Sequence, residues 1–391
     1  MPDFDFDKLT DRRGSLSCKW DVADGELPMW VADMDFETAP AVKRAIEERA
    51  AHGIFGYTDV QDEYFRAYSD FWYRRHGHRF DTEELIYANG TVAAISSSVR
   101  RLTHPGESVL ILAPVYNIFY NSILNNGRVV LCSDLLLVEG EWEIDWADFE
   151  EKLARPTTTM LIFCNPHNPV GRIWRPEELA RVAELAARHG VTVFSDEVHA
   201  EFVAECKEYT PFAAASPLAA LISVSALSVS KSFNLAGLQS ACLAVKNEAL
   251  RRRIYRGLNN DEVGEPNAFA MQASVAALTE CDGWLDALVS YVNENKRIAT
   301  EFISCEIPDI TVPRSDATYL LWVDVSRICH DGEYFAKELR RLTGLYISSG
   351  AQYGECARGY VRINLATQRS RVLDGLERLK RGAEIIAHAE Q

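Results

Sequence analysis

Positive charge is what this sequence has too little of. Lysine and arginine total 41 against 57 aspartates and glutamates, a formal net charge of -16 at pH 7. A chain so acidic has no broad cationic face, which argues against a nucleic-acid or anionic-membrane partner. It still leaves room for an anion held in a local pocket. Long apolar runs are missing too: no stretch of about 18 uninterrupted apolar residues occurs, so no membrane span is expected. Residues 1–10 (MPDFDFDKLT) are acidic and lack an apolar core, unlike a secretory signal. The nine cysteines are scattered, with no Cys-x-x-Cys pair and no Cys/His cluster at metal-ligand spacing. Reduced thiols in a cytoplasmic protein are the expectation. No internal repeat and no low-complexity linker is present.

What is there is an alternation. With 391 residues, 47% of them hydrophobic, the chain is too long for one simple core, and two unequal domains are expected. Apolar runs at 108–112, 129–133, 159–164, 191–195, 221–225 and 241–245 read as strands. Helical patterns at 92–102, 115–125, 176–189 and 247–258 lie between several of them. Short apolar strands alternating with amphipathic helices imply an α/β fold, a mostly parallel sheet with helices on both faces. Pro176-Glu-Glu opens one helix and Gly190 closes it. From about 283 the pattern changes to a long helix (283–304), a strand (318–323), a helix (331–343), a strand (360–365) and a last helix from 370. That reads as a smaller α+β domain. The expected division is 1–45 as an arm or part of the small domain, 46–283 as the large domain and 284–391 as the small one. The first 40 or so residues have little periodicity and are expected to pack on the small domain or on a second subunit.

Three motifs fall at strand ends, where open parallel sheets bind ligands. Lys231 follows the run 221–230 (LISVSALSVS), which places a primary amine at the mouth of the fold. Desolvation disfavours the ammonium form, so such an amine becomes nucleophilic near neutral pH and suits a Schiff base with an aldehyde cofactor. Most lysines are solvated surface groups, so the residue gains weight only from its company. Asn165-Pro-His-Asn-Pro-Val-Gly171 is a stiff turn able to hold the Asn168 amide over a pocket; a single Asn-Pro would be only a loop. Asp196 follows 191–195, and a carboxylate there needs a partner, for which a protonated pyridine nitrogen would serve. An isolated Asp would more often be a cap or a surface group. A metal held by Asp196, Glu197 and His199 is the rival reading, weakened because adjacent Asp196 and Glu197 diverge on an extended segment and no further cluster completes a shell. Gly90-Thr91-Val92 at a helix start, with Ser228 and Ser230 beside the lysine, could cradle a phosphate monoester. Tyr116 could stack on a flat ring or pack in the core.

These pieces resemble the fold-type I pyridoxal-phosphate enzymes, the aspartate aminotransferase superfamily. NPHNPVG is similar to that family's Asn-Pro-x-Asn-Pro-x-Gly turn and SVSK to its Ser-x-x-Lys. Further segments resemble its MalY/PatB subgroup of cystathionine β-lyases, or C–S lyases: Asp11-Arg-Arg-Gly14, Lys19-Trp-Asp21, Leu27-Pro-Met-Trp-Val-Ala-Asp-Met-Asp-Phe36, Phe55-Gly-Tyr-Thr58, Ser195-Asp-Glu-Val-His199 and Ser230-Lys-Ser-Phe-Asn-Leu-Ala-Gly-Leu-Gln239. The resemblance implies pyridoxal 5'-phosphate as cofactor, no metal, and a homodimer with shared sites. It makes Lys231 the Schiff-base lysine and proton-transfer base, and Asp196 the partner of the pyridine nitrogen. Asn168 and His199 go to the phenolic oxygen, Tyr116 to the ring face, and the Thr91 and Val92 amides with Ser228 to the phosphate. Tyr57 would reach in from the neighbouring subunit, and Arg362 would clamp the substrate carboxylate in a bidentate fork. Many aminotransferases carry an arginine where this chain has Gln239, which favours the lyase subgroup. The implied reaction is α,β-elimination on cystathionine, cysteine or S-substituted cysteines to a thiol, pyruvate and ammonia. An aminotransferase shares every early step, and a regulatory role through a transcription factor is the alternative of another class.

Overall fold

The structure, a computed structural model of the chain, describes residues 4–390. A two-residue strand, β1 (Leu27–Pro28), comes first. Eight strands then build a central sheet: β2 (Leu85–Ala88), β3 (Ser108–Ala113), β4 (Val129–Val138), β5 (Glu141–Ile144), β6 (Thr158–Cys164), β7 (Thr192–Asp196), β8 (Ser223–Leu227) and β9 (Ala241–Ala244). Their spatial order is β2-β9-β8-β7-β6-β3-β4-β5. From β8 through β7, β6 and β3 to β4 the neighbours run parallel. β9 is antiparallel to both its neighbours, and β5 folds back on β4 as a hairpin.

Strand side chains alternate between faces, and here both faces are apolar. Val109, Ile111, Met160, Ile162 and Phe194 point into a core shared with the Thr91–Leu102 and Glu248–Asn260 helices. Leu110, Leu112, Leu161, Phe163 and Val193 point into the opposite core, against Leu179 and Val182 of the Pro176–Arg188 helix. That helix starts as expected: Pro176 stands in its first turn, and the Glu178 carboxylate accepts from the Arg175 amide at 2.7 Å. Gly190, at φ +69°, follows its end.

Beyond the central sheet come β10 (Leu320–Asp324), β11 (Leu345–Tyr346), β12 (Ser348–Ser349) and β13 (Tyr360–Asn364). β10, β13 and β12 form a small antiparallel sheet, while β11 pairs in parallel with β1. The Asp282–Glu306 helix joins the two regions. Trp284, Leu285 and Leu288 near its start pack with Phe71 and Phe233, and Ala299 and Ile303 near its end pack under Leu321, Val323 and Ile363.

Several element boundaries differ from expectation. The strand expected at 221–225 is Ser223–Leu227, because Ser216 caps a helix over Pro217–Ile222 through a bond from the Ala219 amide at 3.1 Å. The strand expected at 318–323 begins at Leu320, since Thr318 takes a left-handed φ of +65°. The helix expected at 115–125 shortens to Ile118–Leu124. The Val115 and Tyr116 amides donate instead to the carbonyls of Tyr353 (2.9 Å) and Asn168 (3.1 Å). The strand at 191–195 shifts to Thr192–Asp196, so Asp196 is the last strand residue rather than the one after it. Helices at Pro40–His52, Asp62–His76, Trp146–Leu153 and Ala270–Glu280 were not anticipated.

Candidate active site

The carboxyl ends of β6, β7 and β8 bring Asn168, Asp196 and Lys231 together, as expected for an open parallel sheet. Ser228 ends the β8 exit and caps the one-turn helix Val229–Ser232, accepting from the Ser230 amide at 3.1 Å. Lys231 on that turn is half-buried, and its amine donates to the Ala32 carbonyl at 2.7 Å. Burial and the nearby Arg362 push its pKa down to about 8, against the opposing pull of Asp33 and Asp196.

Asp196 is buried, and its carboxylate accepts only from the Val198 amide, at 3.3 Å. Desolvation raises its pKa to about 7, because one amide does not replace lost water. Glu197 is engaged elsewhere, by the Tyr209 hydroxyl. Among the described residues no group of three His, Cys, Asp or Glu side chains could hold a metal ion. His199 is buried against Tyr319, with ring centroids 5.7 Å apart, and its Nδ1 has no partner. Burial, followed by the charges of Lys231 and Arg362, holds its imidazole well below the ordinary histidine range.

The turn carrying Asn168 is tight: the Gly171 amide donates to the His167 carbonyl at 2.7 Å. Gly171 sits at φ +71°, and a Cβ there would lie 1.9 Å from Ser315 Oγ. Asn168 Oδ1 accepts from Arg362 at 3.3 Å. Arg362, on β13, is 5% exposed rather than on the surface, and its guanidinium stands 4.7 Å from the Tyr353 ring centroid. Its other bond goes to the Trp30 carbonyl at 3.1 Å, and Nε has no partner. Among the described residues no carboxylate lies within salt-bridge distance of it. Tyr116 beside the turn is half-buried, its hydroxyl pushed up to about 12, chiefly by burial.

Gly90, at φ +87°, opens the Thr91–Leu102 helix, and Thr91 Oγ1 is buried without a partner among the described residues. A Cβ on Gly90 would lie 3.6 Å from the Gln239 backbone, so the helix start and the Gln239 loop touch. Ser228 Oγ donates to the Ser240 carbonyl at 2.7 Å, which adds the lysine turn to the same corner. The amides of this helix start and the hydroxyls of Thr91 and Ser228 thus gather at one corner, the chemistry an anion needs. Ser230 is half-buried and Val92 is exposed. Tyr57 stands apart from the other residues: it is fully exposed, between the Pro40–His52 and Asp62–His76 helices.

Sequence reasoning missed the strap that closes the site. Residues 30–35 lay two carbonyls over it, Ala32 on Lys231 and Trp30 on Arg362. Tyr319 also donates to Ala32, at 3.0 Å. Asn234 fastens the strap through the Met34 amide and the Met34 and Phe36 carbonyls, each at 3.1 Å. The only advance signal was the unusual LPMWVADMDF run itself.

The family model for class I and II aminotransferases matches residues 27–379. The chain belongs to that family. Within it, the chain is 38% identical over 382 residues to cystathionine beta-lyase PatB of Bacillus subtilis, covering 96% of this chain and 98% of that one. It is 33% identical over 383 residues to protein MalY of Escherichia coli, covering 95% and 97%. A crystal structure of the pyridoxal-phosphate-bound C–S lyase from Staphylococcus hominis superposes with a TM-score of 0.91 at 31% identity, covering 97% of this chain and 98% of that one.

The residues fit the cofactor of these relatives. Among the described residues, a buried carboxylate with no cation at salt-bridge distance, an unpartnered Thr91 hydroxyl at a helix start and an amine with its pKa lowered to about 8 suit a cationic ring, a phosphate and an aldehyde respectively.

Proposed function

We infer that the protein is a pyridoxal 5'-phosphate-dependent C–S β-lyase of the cystathionine β-lyase type. The observation that carries this is the juxtaposition of Lys231, lowered to about 8, and Asp196, buried and raised to about 7, beyond the ends of neighbouring parallel strands. The relatives named cystathionine beta-lyase favour elimination over transamination. Pyridoxal 5'-phosphate, when bound, supplies the carbonyl that captures the substrate amine and a ring that holds the electron pair freed at Cα.

The chain's own groups divide the rest. Asp196 would keep a proton on the ring nitrogen. Thr91, Val92, Ser228 and Ser230 would hold the phosphate, Tyr116 the ring face, and Asn168 with His199 the phenolic oxygen. Arg362, which lacks a carboxylate partner, would receive the substrate carboxylate bidentately. Lys231 Nζ would take the Cα proton. The Cα pair then forms the Cα–Cβ double bond as the Cβ–S bond breaks, and the thiolate leaves with the sulfur pair. Water converts the remaining enamine to pyruvate and ammonia. Cystathionine would give homocysteine, and cysteine would give sulfide. Tyr57, fully exposed in one chain, would complete the site of a second copy in a homodimer.

Purified enzyme with pyridoxal 5'-phosphate should release pyruvate from cystathionine without added keto acid. Product that appears only when a keto acid is supplied would instead make the protein an aminotransferase.

A further inference from the structure

A second buried amine lies outside the site. Lys296, on the Asp282–Glu306 helix, is 8% exposed. Its stem borders a groove of about 860 Å³ shared with Val203, Asp286 and Arg297, while its amine turns inward. The amine donates to Ser315 Oγ (2.7 Å), the Ala317 carbonyl (2.7 Å) and the Thr318 carbonyl (3.3 Å). Among the described residues no carboxylate lies within salt-bridge distance of it. Burial pushes its pKa down to about 7. A buried lysine whose burial is only partly offset by the charge of Asp316, beyond salt-bridge distance, is costly to keep, so the three oxygens it gathers call for an explanation. Charged or neutral, it retains at least two N–H donors.

Those oxygens belong to a loop held at several points, among them the Ala204 amide, which donates to the Asp316 carbonyl at 2.8 Å, and three contacts that lead to the site. The Asp316 and Ala317 amides both donate to the Gly171 carbonyl, at 2.8 and 2.9 Å, at the end of the turn carrying Asn168. Ser315 fills the space that any Cβ on Gly171 would need. The Thr318 amide donates to the Phe202 carbonyl at 2.8 Å, and the Phe202 amide to the His199 carbonyl at 3.0 Å. The next residue, Tyr319, reaches the Ala32 carbonyl that also holds Lys231.

We propose that Lys296 is a positioning residue: its amine braces the 315–318 loop, and the loop sets the Asn168 turn, the His199 segment and the Tyr319–Ala32 contact in one register. The proposal rests on the reading of the site given above. No hydrogen bond links Lys296 to Lys231, Asp196 or Arg362, so its influence passes through the backbone of the loop.

Lys296→Met keeps the stem and removes every donor. In cofactor-free protein, amide exchange read by mass spectrometry should quicken at least about tenfold in peptides covering 315–319 and 165–172, since lost hydrogen bonds open locally. Peptides from the Glu248–Asn260 helix should exchange as in wild type. With cofactor, kcat for pyruvate release should fall at least about tenfold with KM changed less, and Lys296→Gln, which retains two donors, should recover part of both signals. If Lys296→Met does not fold, Lys296→Gln and Ser315→Ala carry the same comparison with smaller expected changes. Unchanged exchange in both segments would overturn the proposal. Faster exchange confined to 315–319, with wild-type kcat, would also overturn it, leaving Lys296 as a local support only. A wild type that binds no pyridoxal 5'-phosphate would sink the functional reading, whereas the exchange result would still judge the brace.

Discussion

Two buried aspartates, Asp35 in the strap and Asp196 at the end of β7, are equally removed from water and oppositely treated. Burial would raise Asp35, but Lys19 at 2.9 Å, the Trp20 indole at 2.8 Å and Arg12 at 2.8 Å together hold it below the ordinary carboxylate range. Asp196 accepts from one amide and, among the described residues, has no cation within salt-bridge distance, so burial lifts it to about 7 against the weaker pull of Lys231. Folding alone completes the first cluster. The second remains incomplete, as do the guanidinium of Arg362 and the hydroxyl of Thr91 close by. The difference separates a region built to hold the chain from one built to receive something.

The sharpest way to break that contrast is Lys231→Ala. If the incomplete region is the reaction centre, pyruvate release should drop by about 10⁴-fold or more, with loss of the yellow absorbance of bound cofactor. Activity within tenfold of wild type would place the chemistry elsewhere. On the complete side, Asp35→Asn takes from Lys19 and Arg12 their buried counter-charge, leaving them only Asp33 at 3.7 and 2.8 Å, and should cost about 1.5–3 kcal/mol, read from urea unfolding. A cost under about 1 kcal/mol would mean that the cluster is not holding the strap. Arg362→Leu should lower kcat/KM about 100-fold, mostly through KM, because it removes a carboxylate fork. An unchanged KM would assign the substrate carboxylate to another group.

The smallest effect on stability is the most pointed. Asp196→Asn should abolish activity, yet leave cofactor-free protein as stable as wild type or more so at pH 8. The folded-state pKa of Asp196 lies above its ordinary 3.8, so folding disfavours the ionised form. Its effect on wild-type stability is absent below about pH 4 and becomes increasingly unfavourable as pH rises toward about 7. The variant lacks that slope. Thermal melts from pH 5 to 8 should therefore diverge with rising pH, the variant gaining. Parallel curves would show that Asp196 already has a partner.

Much of this was readable in the chain. The strand at Ser108–Ala113 is apolar on both faces, and such runs announce a buried parallel sheet wherever they occur. Lys231, Asp196 and Asn168 stand out because strand ends with reactive or stiffened residues are few. Arg362 was singled out only through family resemblance, since an arginine in a strand is by default a surface group; its burial is a property of the fold. The Pro40–His52 helix buries only Val42 fully and so shows no apolar stripe. The Asp62–His76 helix does carry one, at Tyr64, Ala67, Tyr68, Phe71 and Trp72, so it was legible in the sequence. The strap's part in the site was illegible for a plainer reason. Ala32 and Trp30 act through main-chain carbonyls, which every residue possesses, so no side-chain pattern marks them.

The strap also imposes an order of assembly. Asn364 donates to the carbonyls of Val31 and Asp33, partners 333 and 331 residues earlier. A ribosome therefore releases the first of these groups long before the last exists. Until residue 364 has emerged, Asn234 can fasten the end of the early segment, but the clasp on Val31 and Asp33 is missing. A nascent polypeptide can make its sheet, and even expose its amine, well before it owns a working centre.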